Sequence, residues 1–207
     1  AGDFYFFETT DTHIFLAAAD CTGHGVPGAM VSVVCSNALM RSVKEFKLTD
    51  PGKILDKTRD LIVETFKKSG SDVKDGMDIS LLTLGRKSQK IEWAGANNPL
   101  WYIECDEMKF IKPDKQPVGL TDNPRPFKTH ELLVNTKTLF FLFTDGMADQ
   151  FGGPNGKKYK YKSLQNLFVE NAKYEMSVQK RNIDSSFENW KGNLEQVDDV
   201  CIIGIRI

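Results

Sequence analysis

The residues of this sequence that are best suited to do chemistry are aspartates that stand beside runs of apolar residues. Four such sites are spread along the chain: Asp3, Asp20, Asp145 and Asp198. Asp20 opens the loop Asp20-Cys21-Thr22-Gly23-His24-Gly25, whose glycines favour a tight turn before a helix. A single aspartate is common in turns. Four of them at predicted strand ends favour a shared site for hard divalent cations, which prefer oxygen ligands.

Periodic patterns predict the elements that position these aspartates. Apolar or alternating runs bounded by turn residues predict strands over residues 4–8, 13–19, 79–84, 90–94, 100–104, 109–111, 129–134, 139–143 and 200–205. Helical spacing predicts helices over residues 27–44, 51–68, 162–172 and 177–191. Strands that follow one another over short turns are typical of antiparallel sheets. The residue patterns by themselves therefore predict an α+β fold.

The first two predicted helices differ in character. Residues 27–44 carry apolar side chains around most of the helix, which is typical of a helix buried on more than one side, between a sheet and the next helix. The alternative is a surface for self-association or regulation. Residues 51–68 form an amphipathic pattern that Asp50 caps, with Pro51 at the first helical position.

Composition limits the classes of function that the chain can have. Its 207 residues suit one domain, 1–207, with a sizeable core. The net charge of −1 predicts no nucleic-acid partner, and no apolar run of membrane length is apparent, which predicts no membrane contact. The four cysteines lack zinc or redox spacing, so a reducing, cytoplasmic location is expected.

Several motifs together resemble one known family, the PPM (protein phosphatase 2C) superfamily of metal-dependent serine/threonine phosphatases, and in particular its bacterial SpoIIE-type branch. The matching segments are GDFYFF, AADCTGHGVPGAMVS, DGMDISLLTL, WAGANNPLWYI, PVGL, FLFTDGMADQFGG and QVDDVCIIGIRI. The resemblance implies a four-layer αββα sandwich of two mainly antiparallel sheets flanked by helices. It also implies that the chain is the C-terminal part of a longer sensor or regulator protein.

The resemblance further implies which residues hold two divalent ions. Asp20 would bridge both ions, while Asp3 and the backbone carbonyl of Cys21 would bind one and Asp145 and Asp198 the other. Ligation by oxygen alone favours Mn²⁺ or Mg²⁺ over zinc. Carboxylates that could hold a third ion or support the ligands are Asp78, Asp149 and Asp199.

The chemistry expected of such a centre is phosphomonoester hydrolysis. Two ions about 3.5–4 Å apart lower the pKa of a bound water and supply a nucleophile. A general base alone contributes only about 10²–10⁴-fold, so His24 acting alone would not suffice. Thr22 and His24 are candidate phosphate contacts, since a helix N-terminus attracts anions. The alternative for His24 is a structural role in its loop.

The function that follows is a metal-dependent phosphoprotein phosphatase, and by family analogy its substrate is a regulatory protein such as an anti-sigma-factor antagonist. Other expected partners are an upstream sensor domain and a second copy bound through helices 27–44 and 51–68. Two alternatives remain open: a catalytically silent binding module of the same fold, and a small-molecule phosphatase. Loops 113–126 and 151–161 would decide the substrate.

Overall fold

The computed structural model describes residues 2–23, 25–68, 75–133 and 137–207. The chain divides into two compact units, of which the first comprises residues 1–100 and 111–133 and the second residues 101–110 and 134–207. Each unit has its own sheet and its own hydrophobic core. A single domain over 1–207 stays a prediction.

The described residues form strands and helices in alternating groups. In chain order they are β1 (Phe4–Thr9), β2 (His13–Cys21), α1 (Gly25–Lys44), α2 (Pro51–Lys68), β3 (Gly76–Gly85), β4 (Ile91–Ala96), β5 (Leu100–Glu104), β6 (Glu107–Ile111), β7 (Val118–Gly119), β8 (His130–Leu132), β9 (Leu139–Phe143), α3 (Gly146–Asp149), β10 (Phe151–Gly152), β11 (Lys157–Lys158), α4 (Tyr161–Asn171), α5 (Met176–Lys191) and β12 (Ile202–Arg206).

The first unit is built on a six-stranded antiparallel sheet in the order β1-β2-β3-β4-β8, with β7 paired to β3. Side chains alternate between the two faces of a strand. On β2, Ala17, Ala19 and Cys21 belong to the core that α1 and α2 cover. The intervening residues, Ala18 and Asp20, therefore lie on the face turned away from these helices.

Helix α1 is buried along one side only. Its buried residues are Gly28, Val31, Cys35, Ala38, Leu39, Ser42 and Val43. Met30 and Val33, on the other side, are 64% and 65% exposed. By length and composition α1 could also cross a membrane, contrary to the expectation from sequence, but a helix that packs in a protein core meets the same criteria.

Helix α2 begins where the sequence predicts. The Asp50 carboxylate accepts a hydrogen bond from the backbone N–H of Lys53 (3.0 Å) and another from the Thr129 hydroxyl (2.5 Å). The Thr129 oxygen in turn accepts one from the N–H of Gly52 (3.0 Å). These bonds satisfy amides of the first turn that have no partner within the helix, so the predicted N-cap is confirmed.

The second unit is built on a four-stranded sheet in the order β12-β9-β5-β6. Its core contains mainly aromatic side chains. Phe141 of β9 stacks on Phe168 of α4 with 3.9 Å between ring centroids, and Trp101 of β5 lies 4.5 Å from Phe143. Phe187 of α5 belongs to the same core. The sheet is thereby fixed to helices α4 and α5.

Most predicted elements are confirmed within a few residues, and the strands predicted over 100–104 and 139–143 have the same bounds in the structure. The last strand begins at Ile202 instead of residue 200. The strand predicted over 129–134 is seen at His130–Leu132, and residue 134 lies outside the described part. The sequence patterns missed β7, α3 and the β10–β11 hairpin, because segments of two to four residues carry no measurable periodicity.

Candidate metal centre

Two carboxylates of the first unit pair across neighbouring strands, and a third lies just before the strand on the other side. The register of β1 and β2 pairs Phe4 with Ala19, and Asp3 directly precedes Phe4. The register of β2 and β3 pairs Asp20 with Asp78. Residues directly opposed in an antiparallel pair project from the same face. Asp20 and Asp78 therefore share the face turned away from α1 and α2.

Asp78 is supported from the turn after the next strand, β4. The side-chain amide of Asn97 donates a hydrogen bond from Nδ2 to Asp78 Oδ1 (2.8 Å). Burial raises the pKa of Asp78, while this hydrogen bond and the charge of Lys115 oppose the rise. Asn97 has a positive φ of 56° and donates its backbone N–H to the Asp114 carbonyl. The sequence pattern indicates only a turn at Asn97, and the sheet register is what reveals its contact with Asp78.

Cys21 offers its backbone to the site while its side chain is buried. A hydrogen bond with Cys35, burial, and the charges of Asp20 and Asp3 all raise the pKa of the Cys21 thiol. These effects favour the neutral thiol, and binding of an ion by the Cys21 carbonyl stays a prediction. Gly2 packs against that carbonyl, since a Cβ at Gly2 would lie 2.7 Å from the Cys21 oxygen.

Thr22 and His24 were the predicted phosphate contacts. The Thr22 hydroxyl donates a hydrogen bond to Asp75 Oδ1 (2.9 Å) and accepts one from the backbone N–H of Gly76 (3.2 Å). His24 lies outside the described residues. Both phosphate contacts stay predictions, but Thr22 has a protein partner that the sequence patterns did not reveal.

In the second unit, the segments that carry Asp145 and Asp198 meet. The hydroxyl of Thr144 accepts a hydrogen bond from the N–H of Cys201 (3.0 Å), and the N–H of Thr144 donates to the Cys201 carbonyl (3.0 Å). A Cβ built on Gly146 would overlap the carbonyl oxygen of Asp199. The absence of a side chain at Gly146 thus allows the two segments to touch.

Two further carboxylates of the second unit, Asp198 and Asp149, have defined partners. Asp198 Oδ1 accepts a hydrogen bond from the backbone N–H of Asp199 (2.8 Å). Asp149, in α3, forms an ion pair with Lys158 of β11 (2.9 Å). A third ion at Asp149 would compete with this lysine for the carboxylate.

The predicted ligand atoms are of the type that a hard divalent cation prefers. Residues 2–23, 25–68, 75–133 and 137–207 contain no group of three or more His, Cys, Asp or Glu side chains close enough to hold an ion as they stand. The two sets of predicted ligands, one in each unit, nevertheless offer oxygen atoms alone. The Cys21 carbonyl, which a side chain at residue 2 would crowd, adds a neutral oxygen to the first set. Such a set suits Mg²⁺ or Mn²⁺ better than zinc.

Comparison with protein-family models matches residues 10–207 to the family described as Stage II sporulation protein E (SpoIIE). None of the curated proteins that were compared matches the chain.

Solved structures of PP2C-type domains share the fold. The SiaA-PP2C domain of Pseudomonas aeruginosa is similar at a TM-score of 0.89 and 24% identity, covering 100% of this chain and 80% of that one. The PP2C phosphatase domain of SpoIIE from Bacillus subtilis was solved with a fragment of its regulatory domain. It is similar at a TM-score of 0.75 and 12% identity, covering 100% of this chain and 58% of that one. RsbX in complex with magnesium is similar at a TM-score of 0.65 and 18% identity, covering 99% of this chain and 86% of that one. The predicted class, an α+β sandwich of the PP2C type, is thereby confirmed.

Proposed function

Since the chain belongs to the SpoIIE family, a family of PP2C-type protein phosphatases, we propose that it removes phosphate from serine or threonine of a regulatory protein in a metal-dependent reaction. The observation that carries this proposal is the pairing of Asp20 with Asp78 on strands β2 and β3, with Asp3 directly before β1, the strand that pairs with β2. Carboxylate oxygens are the ligands that hard divalent cations prefer. Carboxylates placed together on neighbouring strands therefore support a site for such a cation.

The ligand roles in this proposal are those that the family resemblance implies. Asp20 would bind both ions, Asp3 and the Cys21 carbonyl one of them, and Asp145 and Asp198 the other. When bound, Mn²⁺ or Mg²⁺ supplies an activated water for in-line attack and offsets charge on the phosphoryl oxygens. RsbX, which has the same fold, was solved with magnesium.

Partners and location belong to the same proposal. The substrate would be a phosphorylated regulatory protein of the anti-sigma-antagonist type, and an upstream sensor domain would control the phosphatase. The four cysteines are free thiols, which agrees with a reducing cytoplasm.

A second copy of the chain would bind through α1 and α2. The exposed side of α1 supports this part of the proposal, because it carries an apolar stripe: Val26, Met30, Val33 and Met40. Apolar side chains that recur at helical spacing on an exposed face are typical of helix–helix association.

The test is hydrolysis of p-nitrophenyl phosphate with Mn²⁺, with Mg²⁺ and with EDTA. We expect turnover that needs metal and falls at least about 100-fold in Asp20→Asn. Asp11→Asn is the matched control, since Asp11 lies exposed in the β1–β2 turn, and it should match the wild type. Comparison with a phosphoserine protein then separates a protein phosphatase from a small-molecule phosphatase.

Two outcomes would contradict the proposal. Turnover that persists in EDTA would show that the metal is not needed. Absence of turnover on both substrates, with Mn²⁺ bound, would indicate a binding module that lacks catalysis.

A further inference from the structure

The loop after Asp20 is fastened to the start of β3 by a closed set of hydrogen bonds. Thr22 Oγ1 donates to Asp75 Oδ1 (2.9 Å) and accepts from the N–H of Gly76 (3.2 Å). The N–H of Thr22 donates to the Gly76 carbonyl (3.0 Å). We name these three bonds the Thr22–Asp75 clasp. The clasp joins residues 53 positions apart in the sequence, immediately beside the carbonyl that is expected to bind an ion.

The clasp rests on a fixed support. Gly76 pairs with Gly119 of the PVGL segment, and a Cβ at Gly76 would lie 2.6 Å from the Val118 carbonyl oxygen and 2.9 Å from the Gly119 Cα. Distances this short leave no room for a side chain at Gly76. The PVGL motif thereby holds the point to which Thr22 is tied.

The other sides of the loop are also held by close contacts with glycine. A Cβ at Gly28 of α1 would lie 2.5 Å from the Gly23 carbonyl oxygen, and one at Gly2 would lie 2.7 Å from the Cys21 oxygen. The backbone from Cys21 to Gly23 is therefore enclosed by glycine backbone on two sides and by the clasp on a third. Removal of the clasp would free only that third side.

We propose that Thr22 and Asp75 are positioning residues, which hold the Cys21 carbonyl in place for a divalent cation. This inference rests on the proposed metal-dependent function. A threonine hydroxyl has one proton to donate, and in Thr22 that proton is directed at Asp75. In this proposal Thr22 acts on the metal through the loop backbone, and its hydroxyl proton goes to Asp75 and not to a phosphate oxygen.

The test measures Mn²⁺ binding by calorimetry, without substrate. Residues that orient a metal ligand typically contribute 10–100-fold to affinity, so Thr22→Val and Asp75→Ala should each weaken Mn²⁺ binding by about tenfold or more. Thr22→Ser should restore it, because serine keeps the hydroxyl. Thr65→Val is the matched control, since the hydroxyl of this exposed threonine of α2 donates to the carbonyl of Leu61 in its own helix.

Phosphate hydrolysis at saturating Mn²⁺ separates positioning from phosphate binding. We expect the KM for p-nitrophenyl phosphate to stay within about twofold of wild type in Asp75→Ala and Thr22→Val. Saturating Mn²⁺ fills the weakened metal site, so substrate binding should not change. A raised KM together with unchanged Mn²⁺ affinity would overturn the inference and make Thr22 a phosphate contact.

Failure of this inference differs from failure of the proposed function. If the wild type binds Mn²⁺ and Asp20→Asn does not, while Thr22→Val and Asp75→Ala bind like the wild type, only the clasp is overturned. If the wild type itself binds no Mn²⁺, the proposed function and the clasp are both wrong. Circular dichroism of each variant verifies folding, and Asp75→Ala provides a second disruption should Thr22→Val fail to fold.

Discussion

Asp20 and Asp78 stand directly opposite each other on the antiparallel strands β2 and β3. Side chains in such a pair have Cβ atoms about 4.5–5.5 Å apart, and like charges at this separation are destabilising. The amide of Asn97 donates to Asp78 and thereby holds its carboxylate. Asp78 is therefore the carboxylate of β3 that stands opposite Asp20, the expected bridging ligand on β2.

We predict that Asp78→Asn raises the Mn²⁺ concentration needed for half-maximal hydrolysis by about 10–100-fold, the range seen when a residue that supports a ligand is removed. Turnover at saturating Mn²⁺ should change less. The measurement is a titration of activity with Mn²⁺, with the exposed turn variant Asp11→Asn as control. An unchanged Mn²⁺ titration would show that Asp78 has no part in metal binding.

A second prediction concerns Gly146, which lies against the Asp199 carbonyl. Gly146→Ala should destabilise the protein by about 1–3 kcal/mol, as overpacking does. It should also weaken Mn²⁺ binding, because the added methyl group would push apart the segments that carry Asp145 and Asp198. Urea unfolding and calorimetry measure the two effects.

Gly204→Ala is the control for this substitution. Its added Cβ would meet Met176 Cε, the mobile end of a flexible side chain, at 2.8 Å. Equal stability of the two variants would show that the Gly146 contact with Asp199 imposes no constraint.

A third prediction concerns the pH dependence of stability. Partial burial alone would raise the pKa of Asp50, but hydrogen bonds from Thr129 and from the N–H groups of Lys53 and Gly52 outweigh it and leave this pKa below its usual value. A carboxyl whose pKa is lower in the folded state stabilises that state above the unfolded pKa of about 3.9. The contribution is lost as the pH falls through the folded-state pKa.

Asp50→Ala should therefore cost about 1 kcal/mol at pH 7, the usual value of an N-cap. The difference from wild type should persist to about pH 4 and disappear at lower pH. Urea unfolding from pH 7 downward measures it, with the exposed Asp60→Ala of the same helix as control. A difference that grows with acidity would have the wrong sign for a cap of this kind.

A fourth prediction concerns the exposed side of α1. Val33→Glu should convert a homodimer to a monomer, since a buried, unpaired carboxylate opposes association. Light scattering measures the mass. Val169→Glu, at an exposed position of α4, is the matched control and should leave the mass unchanged. Equal masses of Val33→Glu and wild type would exclude this face of α1 as the interface.

The sequence by itself determined the elements and the kind of ligand. Asp50-Pro51 specifies the start of α2, and the apolar run 139–143 specifies β9, because capping and periodicity are local properties. The placement of aspartates at strand ends, with oxygen as the only donor atom, likewise indicates a site for a hard cation from residue types and spacing alone. The family resemblance supplied the sandwich architecture.

Only the tertiary structure decided which side chains meet. Three contacts depend on the register of β3 against its neighbours. They are the pairing of Asp20 with Asp78, the hydrogen bond from Asn97 to Asp78, and the hydrogen bond from Thr22 to Asp75. A shift of one residue in that register would move each side chain to the opposite face. Registers are set by packing between segments that lie far apart in the sequence, so no local pattern could have predicted these contacts.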